Sequence, residues 1–510
     1  MGRVIAVDAG TSGVRALAVN ESGDVTDTSH RELTQHYPRP GWVEHDAAEI
    51  WDLVQLTLSD VATRLRAVGE TVAAIGITNQ RETVVAWDRL TGRPRHRAIV
   101  WQDRRTAEHT DELRAAGHLT LVREQTGLVL DPYFSATKMA WLLGPGGVAA
   151  DDDLVLGTVD AWVIWNLTGG AAGGVLATDA TNAARTSLFD IRSLRWSDEL
   201  ADVFGVPLGA LPEVRPSCGR FGTVGGELGR RRGPLAGVPV SGVAGDQQAA
   251  LFGQACFSPG MAKATYGTGT FVLLNVGERC PPPPEGLLVT VAWDLGERGG
   301  SSPVAYALEG AVFVTGAAIQ WLRDGLGIID DAAGIGPLAS QVADSGGVYV
   351  VPAFTGLGSP WWDPYARGTI TGLSRGLGAP HVARAVLEGI AFQVRDVVEA
   401  MRRVEGDARG DLSTLRVDGG ASAQDLLLQL QADQLRVHVA RPATTEITAL
   451  GAATLAGLAE GVWGSLDDLT ALWSEEAAFE PQATPFAADT AYAGWRGAVE
   501  RSLRWAVPAT

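Results

Sequence analysis

The sequence predicts an α/β protein of two domains. Short apolar segments typical of strands, such as Val72–Ile77 and Leu154–Thr158, alternate with longer segments whose apolar residues recur at helical spacing, such as Ala48–Leu65. The chain of 510 residues exceeds what one hydrophobic core usually holds, so we expect two domains of roughly 250 residues each. In addition, a strand–loop–strand pattern at the start of the chain recurs near its middle.

Each half of the chain opens with a predicted β-hairpin. In the first, the strands Val4–Val7 and Val14–Val19 flank the turn-forming segment Asp8–Gly13. In the second, a loop rich in glycine and threonine again lies between two strands, in the order Met261–Thr265, Tyr266–Thr270 and Phe271–Asn275. The match predicts a duplicated domain, and we place an N-terminal domain at residues 1–250 and a C-terminal domain at residues 251–510.

The remaining elements follow the same two patterns. Apolar residues at intervals of three and four predict helices over Val382–Val404 and Ala423–Leu435. Short apolar runs predict strands over Ala98–Trp101, Val348–Val351 and Leu415–Asp418. Because helices separate these strands along the chain, the fold class is α/β.

The composition argues against several partners. The 41 basic and 59 acidic residues give a formal charge of −18, whereas binding to nucleic acid demands a basic face for the phosphates. A phosphorylated small ligand remains possible, because its site needs local amide donors and a metal rather than global positive charge. Nearly all the positive charge is arginine, since the only lysines are Lys138 and Lys263. No stretch reaches the ~18 uncharged apolar residues needed to span a membrane.

The cysteines and the N-terminal residues indicate a compartment. Cys218, Cys256 and Cys280 are sparse and show no CxxC spacing, which argues against a disulfide framework and a zinc site. The N-terminal segment becomes polar at Asp8, before an apolar run long enough for a signal peptide. We therefore expect reduced thiols and a cytoplasmic location.

The first hairpin loop has the composition of a phosphate-binding turn. Glycines let backbone amides approach a phosphate closely, Thr11 and Ser12 add hydroxyl donors, and Asp8 at the strand end can hold Mg²⁺ through water. The loop is not a Walker P-loop, because it lacks Gly-Lys-Ser/Thr and no helix follows it directly. An ordinary hairpin turn is the alternative. The second Gly/Thr loop and the pair Gly419-Gly420 after a strand favour nucleotide binding.

Polar residues after apolar strands are candidates for binding an alcohol. Asp246 follows a small-residue turn and precedes two amides, so it could accept a proton while Gln247 orients a hydroxyl. Arg81 and Glu82 follow the strand that ends near Thr78, and together they can donate to and accept from adjacent hydroxyls. The alternative is a surface ion pair, which contributes little. For the aromatic Trp101 nearby, the alternative is core packing.

Several long motifs in the same order resemble glycerol kinases and the wider FGGY carbohydrate-kinase family. They are GITNQRET (Gly76–Thr83), AIVWQDRRT (Ala98–Thr106), DPYFSATK (Asp131–Lys138), AGDQQAALFGQ (Ala244–Gln254), TYGTG (Thr265–Gly269) and ALEG…AIQWLRD between Ala307 and Asp324. The family's C-terminal signature is similar to the segment from Gly368 to Glu388. The resemblance covers residues from about 4 to about 460.

The resemblance implies two actin-like (RNase H-like) ATPase domains with a cleft between them, and an ATP-dependent kinase that uses Mg²⁺ and glycerol. By position, Asp246 resembles the catalytic base and Asp8 the carboxylate associated with the metal. The groups that resemble the polyol-binding residues and apolar walls are Arg81, Glu82, Trp101, Tyr133, Asp246, Gln247 and Phe271. Those that resemble the ATP-binding residues are Thr11, Ser12, Arg15, Gly267, Thr268, Gly316, Gln320, Gly420 and Gln424. The resemblance further implies a homodimer or homotetramer.

Three departures from the glycerol-kinase pattern qualify these expectations. Ala9, Gly13 and Val14 stand where glycerol kinases usually have Gln and two serines, and other FGGY sugar kinases often carry Gly and Val there. A kinase for another small polyol or sugar, such as erythritol or xylulose, is therefore the alternative. Gln424 replaces a usual Asn near the adenine. The segment Arg231–Gly237 lacks the glycine-rich loop that binds fructose 1,6-bisphosphate in regulated enzymes, so we expect no such inhibition.

Overall fold

The computed structural model describes residues 2–226, 228–229, 233–301, 303–404 and 412–506. The strands up to residue 250 are β1 (Arg3–Ala9), β2 (Gly13–Val19), β3 (Val25–Glu32), β4 (Glu44–His45), β5 (Val72–Asn79), β6 (Val84–Asp88), β7 (Ala98–Ile99), β8 (Leu154–Thr158), β9 (Ala177–Asp179), β10 (Phe189–Asp190), β11 (Arg195–Trp196), β12 (Glu213–Arg215), β13 (Cys218–Thr223) and β14 (Pro239–Gly245). The helices that begin there are α1 (Ala47–Ala67), α2 (Ala107–Ala115), α3 (Leu119–Thr126), α4 (Ser135–Leu143), α5 (Val159–Leu167), α6 (Ala180–Ala183), α7 (Asp198–Phe204) and α8 (Asp246–Gly253).

The rest of the chain continues the alternation of strands and helices. Its strands are β15 (Met261–Tyr266), β16 (Thr270–Gly277), β17 (Leu288–Asp294), β18 (Val304–Val312), β19 (Tyr349–Val351), β20 (Thr369–Thr371), β21 (Thr414–Asp418), β22 (His438–Pro442) and β23 (Glu475–Phe479). Its helices are α9 (Gly316–Asp324), α10 (Ile335–Ala339), α11 (Ala379–Met401), α12 (Asp425–Leu435), α13 (Ile447–Glu460), α14 (Leu466–Leu472) and α15 (Pro485–Ser502).

Two large sheets repeat one arrangement. The first has the order β13-β14-β5-β1-β2-β3, and the second has the order β17-β18-β16-β15-β21-β22-β23. In the first, β1, β2 and β3 are antiparallel neighbours, and β5 and β14 follow in parallel on the other side of β1. In the second, β15, β16 and β18 are antiparallel, and β21 and β22 follow in parallel. The sheets therefore share the topology that the repeated hairpin motif predicts.

Helix α13 joins the two halves of the chain. It belongs to the C-terminal half by sequence, yet it packs on β5 and β14 of the first sheet. The close approach of α13 to these strands depends on glycine. A Cβ added at Gly76 would lie 2.1 Å from the carbonyl oxygen of Ala452, and one at Gly242 would lie 2.3 Å from the nitrogen of Ala456. Helix α13 thus packs across the predicted domain boundary after residue 250. The boundary itself stays a prediction.

Element boundaries differ from the predicted ones where local chemistry competes with the apolar pattern. Helix α11 begins at Ala379 rather than Val382, because Pro380 is compatible with the first helical turn. Strand β7 ends at Ile99 rather than Trp101, whose backbone N–H donates to Thr83 Oγ1 (3.2 Å). Helix α12 begins at Asp425, after a 3₁₀ turn over Gly420–Ala423.

Two further sequence-based expectations concern a membrane-spanning helix and inhibition by fructose 1,6-bisphosphate. Among the described helices, none combines the length and apolar character needed to cross a membrane. The expectation about fructose 1,6-bisphosphate falls partly on Arg231 and Arg232, which lie outside the described residues.

Candidate active site

The ends of three parallel strands bring the first group of candidate residues to one edge of the first sheet. Asp8 lies near the end of β1, Arg81 and Glu82 follow β5, and Asp246 follows β14 as the first residue of α8. Because β1, β5 and β14 are adjacent and parallel, their carboxyl ends meet, as at other ligand sites of α/β sheets. The topology therefore gathers side chains that are up to 238 positions apart in the sequence (246 − 8).

Arg81 is the centre of this group and is only 2% exposed. Its guanidinium donates two hydrogen bonds to Glu309 (2.7 and 3.1 Å), one to Gln248 Oε1 (3.1 Å) and one to the hydroxyl of Tyr133 (3.3 Å). Burial alone would lower the pKa of Arg81, but Glu309 and its other anionic neighbours raise it well above its usual value. The side chain is therefore charged and held in one orientation.

A second arginine completes a buried charge cluster with Arg81, Glu82 and Glu309. Arg185 donates from Nε to Glu82 (2.7 Å) and from a terminal nitrogen to Glu309 (3.0 Å). Burial raises the pKa of Glu82, although both arginines act against it. Burial would also raise the pKa of Glu309, but Arg185 and Arg81 together hold it at about 2. Two cations and two carboxylates thus hold one another in place below the cleft.

Asp246 is the carboxylate of this group with an open face. Its side chain is 33% exposed, whereas the four side chains of the buried charge cluster are 0–1% exposed. Asp246 Oδ1 lies 3.3 Å from Arg81 Nε and accepts a hydrogen bond from the backbone N–H of Gln247 (2.7 Å). Burial raises the pKa of Asp246, opposed by Arg81 and then Lys263. A carboxylate with a raised pKa that still opens to the cleft is suited to accept a proton.

Aromatic side chains lie near Arg81, the residue that contacts Asp246. The rings of Trp101 and Tyr133 lie 5.7 Å apart at 73°, and the ring of Phe271 lies 6.0 Å from the guanidinium carbon of Arg81. Trp101 Nε1 also donates to Thr11 Oγ1 (2.9 Å). The same indole ring therefore connects the aromatic wall with the first Gly/Thr loop.

The segment that carries Tyr133 is fixed by a buried lysine. Lys138 Nζ donates to three successive backbone carbonyls, those of Pro132 (2.9 Å), Tyr133 (2.6 Å) and Phe134 (2.7 Å). A compact ammonium group with three donors suits three converging carbonyl oxygens, which a planar guanidinium could not satisfy in the same way. Tyr133 consequently meets Arg81 from a backbone that is held in place.

The first Gly/Thr loop is a tight turn beside a carboxylate–arginine pair. Gly10 N–H donates to the carbonyl oxygen of Gly13 (3.0 Å), and Ser12 is exposed. Arg15 donates to Asp8 (2.7 Å) and to Glu446 (2.8 Å), which begins the turn into α13. Burial raises the pKa of Asp8, with Arg15 acting against it. The structure thus places Asp8 and Arg15, two of the predicted site residues, in direct contact.

The second Gly/Thr loop contacts the start of helix α9. Gly316 N–H donates to the carbonyl oxygen of Gly267 (3.0 Å), and Thr315 N–H donates to that of Thr268 (2.8 Å). A Cβ at Gly316 would lie 2.7 Å from the Gly267 oxygen, so the contact requires glycine. The backbone of the loop and the N-terminus of a helix therefore form one continuous surface.

The remaining predicted nucleotide residues lie at the rim of the second sheet. Gly420 follows β21 and is exposed, and no protein atom lies within 4 Å of a Cβ added there. Gln424 donates from Nε2 to the carbonyl oxygen of Ala332 (3.1 Å), so its side chain is tied to the connection before α10. Gln320 is exposed on α9, the helix that begins at Gly316.

No site role is predicted from the sequence for four charged residues that the structure places here: Arg185, Lys263, Glu309 and Glu446. Glu309 lies inside the ALEG motif, which indicates the family but not the role of this residue. Arg185 and Glu446 lie in segments without a distinctive pattern, and their partners are 103 and 431 positions away. In the described part of the chain, no group of three or more His, Cys, Asp or Glu side chains is arranged to hold a metal by itself.

Comparisons with known families identify the relatives of this chain. The N-terminal domain profile of the FGGY family of carbohydrate kinases matches residues 3–253, and its C-terminal domain profile matches residues 262–460. A protein named glycerol kinase from Dechloromonas aromatica is 52% identical over 509 residues, covering 99% of this chain and 98% of that protein. The glycerol kinase from Halorhodospira halophila is 51% identical, covering 98% of this chain and 97% of its own.

Solved structures resemble the whole chain. The structure of Plasmodium falciparum glycerol kinase with ADP has a TM-score of 0.91 and 34% identity, and the match covers 99% of this chain and 98% of that one. Xylulose kinase from Lactobacillus acidophilus has a TM-score of 0.85 at 20% identity, covering 98% of both chains, which shows a shared fold. With both domain profiles matched in order and half the residues shared with curated relatives, the chain belongs to the FGGY family of carbohydrate kinases.

Proposed function

We propose that this protein transfers the γ-phosphoryl group of ATP to glycerol and forms sn-glycerol 3-phosphate. The observation that carries the proposal is the buried charge cluster below Asp246, the carboxylate that opens to the cleft. Curated relatives at 51–52% identity over nearly the whole chain are named glycerol kinase. A kinase that recognises a short polyol needs both of these features, an array of donors and acceptors for hydroxyls and a base beside it.

The polyol site would combine charged groups with apolar walls. Arg81 and Glu82 offer donors and acceptors at fixed positions, because the buried charge cluster leaves them no other orientation. Trp101 and Phe271 would contact the carbon backbone, while Tyr133 closes the side next to Trp101. Aromatic walls on the acceptor site would favour a three-carbon substrate over a longer sugar, since extra carbons would have to displace a ring.

Asp246 would act as the general base. A primary alcohol is a poor nucleophile at neutral pH, so a carboxylate must take its proton as the bond from oxygen to phosphorus forms. Arg81 Nε lies close enough to orient the carboxylate, and the N–H of Gln247 fixes the other side of the same oxygen. The open face of Asp246 is then left for the substrate hydroxyl.

ATP would lie along the two Gly/Thr loops and the rim of the second sheet. Thr11, Ser12, Gly267 and Thr268 would contact the phosphates through backbone amides and hydroxyls. On the far side, the adenosine would be held where Gly316, Gln320, Gly420 and Gln424 lie. Arg15 would contribute positive charge near the phosphates, with its position set by Asp8 and Glu446.

The residues present fit Mg²⁺. Burial raises the pKa of both Asp8 and Asp246. Glu446 raises the pKa of Asp8 further, and Asp8 raises that of Asp246, so these three carboxylates lie close enough to repel one another and a cation would balance their charge. Mg²⁺ commonly binds through one or two carboxylates together with water and substrate phosphates, so a full protein cage is not required. Asp8 would hold it, and the bound ion would neutralise phosphate oxygens during transfer.

A kinase for another small polyol or sugar is the second candidate. One observation favours it: Ala9, Gly13 and Val14 in the first loop depart from the usual glycerol-kinase residues toward those of other FGGY sugar kinases. The proposal assigns this loop to the phosphates of ATP and the aromatic walls to the acceptor, with the hydrogen bond from Trp101 Nε1 to Thr11 Oγ1 joining the two. The polyol side is the part that selects the acceptor, and it supports glycerol.

A coupled ADP-release assay tests the choice of substrate. Glycerol, erythritol, xylulose and gluconate would be compared at one ATP concentration, with substrate omitted as the control for ATP hydrolysis. We expect the highest kcat/KM for glycerol. A clearly higher value for any of the other three would refute the glycerol proposal and leave the family assignment intact.

A further inference from the structure

The two lysines of the chain occupy unusual positions. The other basic residues are arginine, yet Lys138 and Lys263 are both fully buried. Lys138 has its three donors occupied by backbone carbonyls beside Tyr133. Lys263, in β15 of the second sheet, contacts Gln247, one of the predicted polyol-binding residues.

The contacts of Lys263 determine which end of the Gln247 amide faces the cleft. Lys263 Nζ donates to Gln247 Oε1 and to Thr265 Oγ1 (2.9 Å). An ammonium group can only donate, so the atom of Gln247 that it contacts must be the oxygen. Burial lowers the pKa of Lys263 to about 8, which leaves the ammonium form in excess at pH 7. The amide nitrogen of Gln247 must then point away from Lys263.

The nitrogen in question is Gln247 Nε2. Among the described residues, none accepts a hydrogen bond from Gln247 Nε2, while the side chain is only half-buried and adjoins Asp246. Two N–H donors are therefore available beside the proposed base. They would face the substrate, not the protein interior.

We propose that Lys263 is a positioning residue that locks the Gln247 amide with its nitrogen toward the substrate, so that the hydroxyl accepts from Gln247 and donates its proton to Asp246. This inference rests on the proposed glycerol kinase activity. A hydroxyl has one proton to give. If the amide oxygen faced the substrate, the hydroxyl could donate to Gln247 instead, and the base would have no proton to remove.

A rival explanation is electrostatic. The charged groups around Lys263 are Asp418, Asp246, Arg81 and Glu309, and Lys263 also opposes the rise in the pKa of Asp246. Loss of its charge would then change the base directly, whether or not Gln247 is present. The two explanations differ in whether the effect of Lys263 passes through Gln247.

A double-mutant cycle with Lys263→Met and Gln247→Ala distinguishes the two explanations. Wild-type activity with glycerol is measured first, because its absence would refute the proposed function rather than this inference. Lys263→Met should lower kcat for glycerol about 3- to 10-fold, the range of one neutral hydrogen bond, with little change in KM for ATP. In the Gln247→Ala background the same change should lower kcat less than about 2-fold. Equal effects in both backgrounds would overturn the proposal.

A third variant keeps the test decisive if Lys263→Met does not fold. Gln247→Glu preserves the size of the side chain and an oxygen for Lys263, but it replaces the N–H donors with a second acceptor. We expect kcat to fall at least as far as in Gln247→Ala, because the hydroxyl proton now has two carboxylates to choose between. Wild-type kcat in Gln247→Glu would show that the donor is not needed and would overturn the proposal.

Discussion

The proposed polyol and nucleotide sides of the cleft are built in opposite ways. On the polyol side, Arg81, Arg185 and Glu309 are buried and are held by one another. On the nucleotide side, Ser12, Gly267, Thr268 and Gly420 are exposed. The polyol side thus carries its own charges in a fixed geometry, whereas the nucleotide side offers amide donors to a ligand that brings its own negative charge.

This difference has consequences for stability as well as for binding. Removing one member of a buried ion pair leaves the other charge without compensation in the interior, which is costly. An exposed glycine loop contributes little to the free energy of unfolding, so substitutions there should change only the affinity for the ligand. Substitutions on the two sides should therefore separate stability from nucleotide affinity.

The largest effect is expected for Glu309→Gln. The change leaves Arg81 and Arg185 without their shared carboxylate, and the free energy of unfolding should fall by about 3–5 kcal/mol. Urea denaturation followed by tryptophan fluorescence measures the loss. The matched control is Glu213→Gln, which breaks an exposed pair with Arg215 and should cost less than about 1 kcal/mol. Equal losses in the two variants would mean that the buried charge cluster is not what holds the polyol side together.

A smaller effect, on the KM for ATP alone, is expected for Gly420→Ala. A methyl group there meets no protein atom within 4 Å, so stability should not change. If adenosine packs against this backbone, the methyl group should raise KM for ATP by about 10-fold or less, with KM for glycerol unaffected. Gly209→Ala is the control, because Gly209 is equally open and lies in the N-terminal half between α7 and β12. An unchanged KM for ATP would remove Gly420 from the nucleotide site.

Local patterns were enough to predict the scaffold. The hairpins β1–β2 and β15–β16 were predicted with their Gly/Thr loops, because turn-forming residues between apolar runs are a short-range signal. The strand Leu154–Thr158 was predicted with its observed bounds. Family motifs then pointed to Arg81 and Asp246, which the structure places 3.3 Å apart.

The partners of those residues could not be predicted in the same way. Glu309 meets Arg81 across 228 positions of sequence, and Lys263 of the second sheet meets Gln247 of α8, the helix that follows the first sheet. Neither contact produces a periodic or local pattern in the sequence, because each depends on how the sheets pack. The packing of α13 on the first sheet is a further example, since only glycines such as Gly76 mark the place of contact.

The central claim is that Asp246, held open beside the buried charge cluster, is the base that activates glycerol. Asp246→Asn keeps the size of the side chain but cannot take the proton, so kcat should fall by at least ~10² while ATP binding persists. Steady-state ADP release and calorimetric ATP binding are measured on this variant and on Asp52→Asn, an exposed position of α1 that should behave as wild type. A folded Asp246→Asn protein with near-normal kcat would contradict the account.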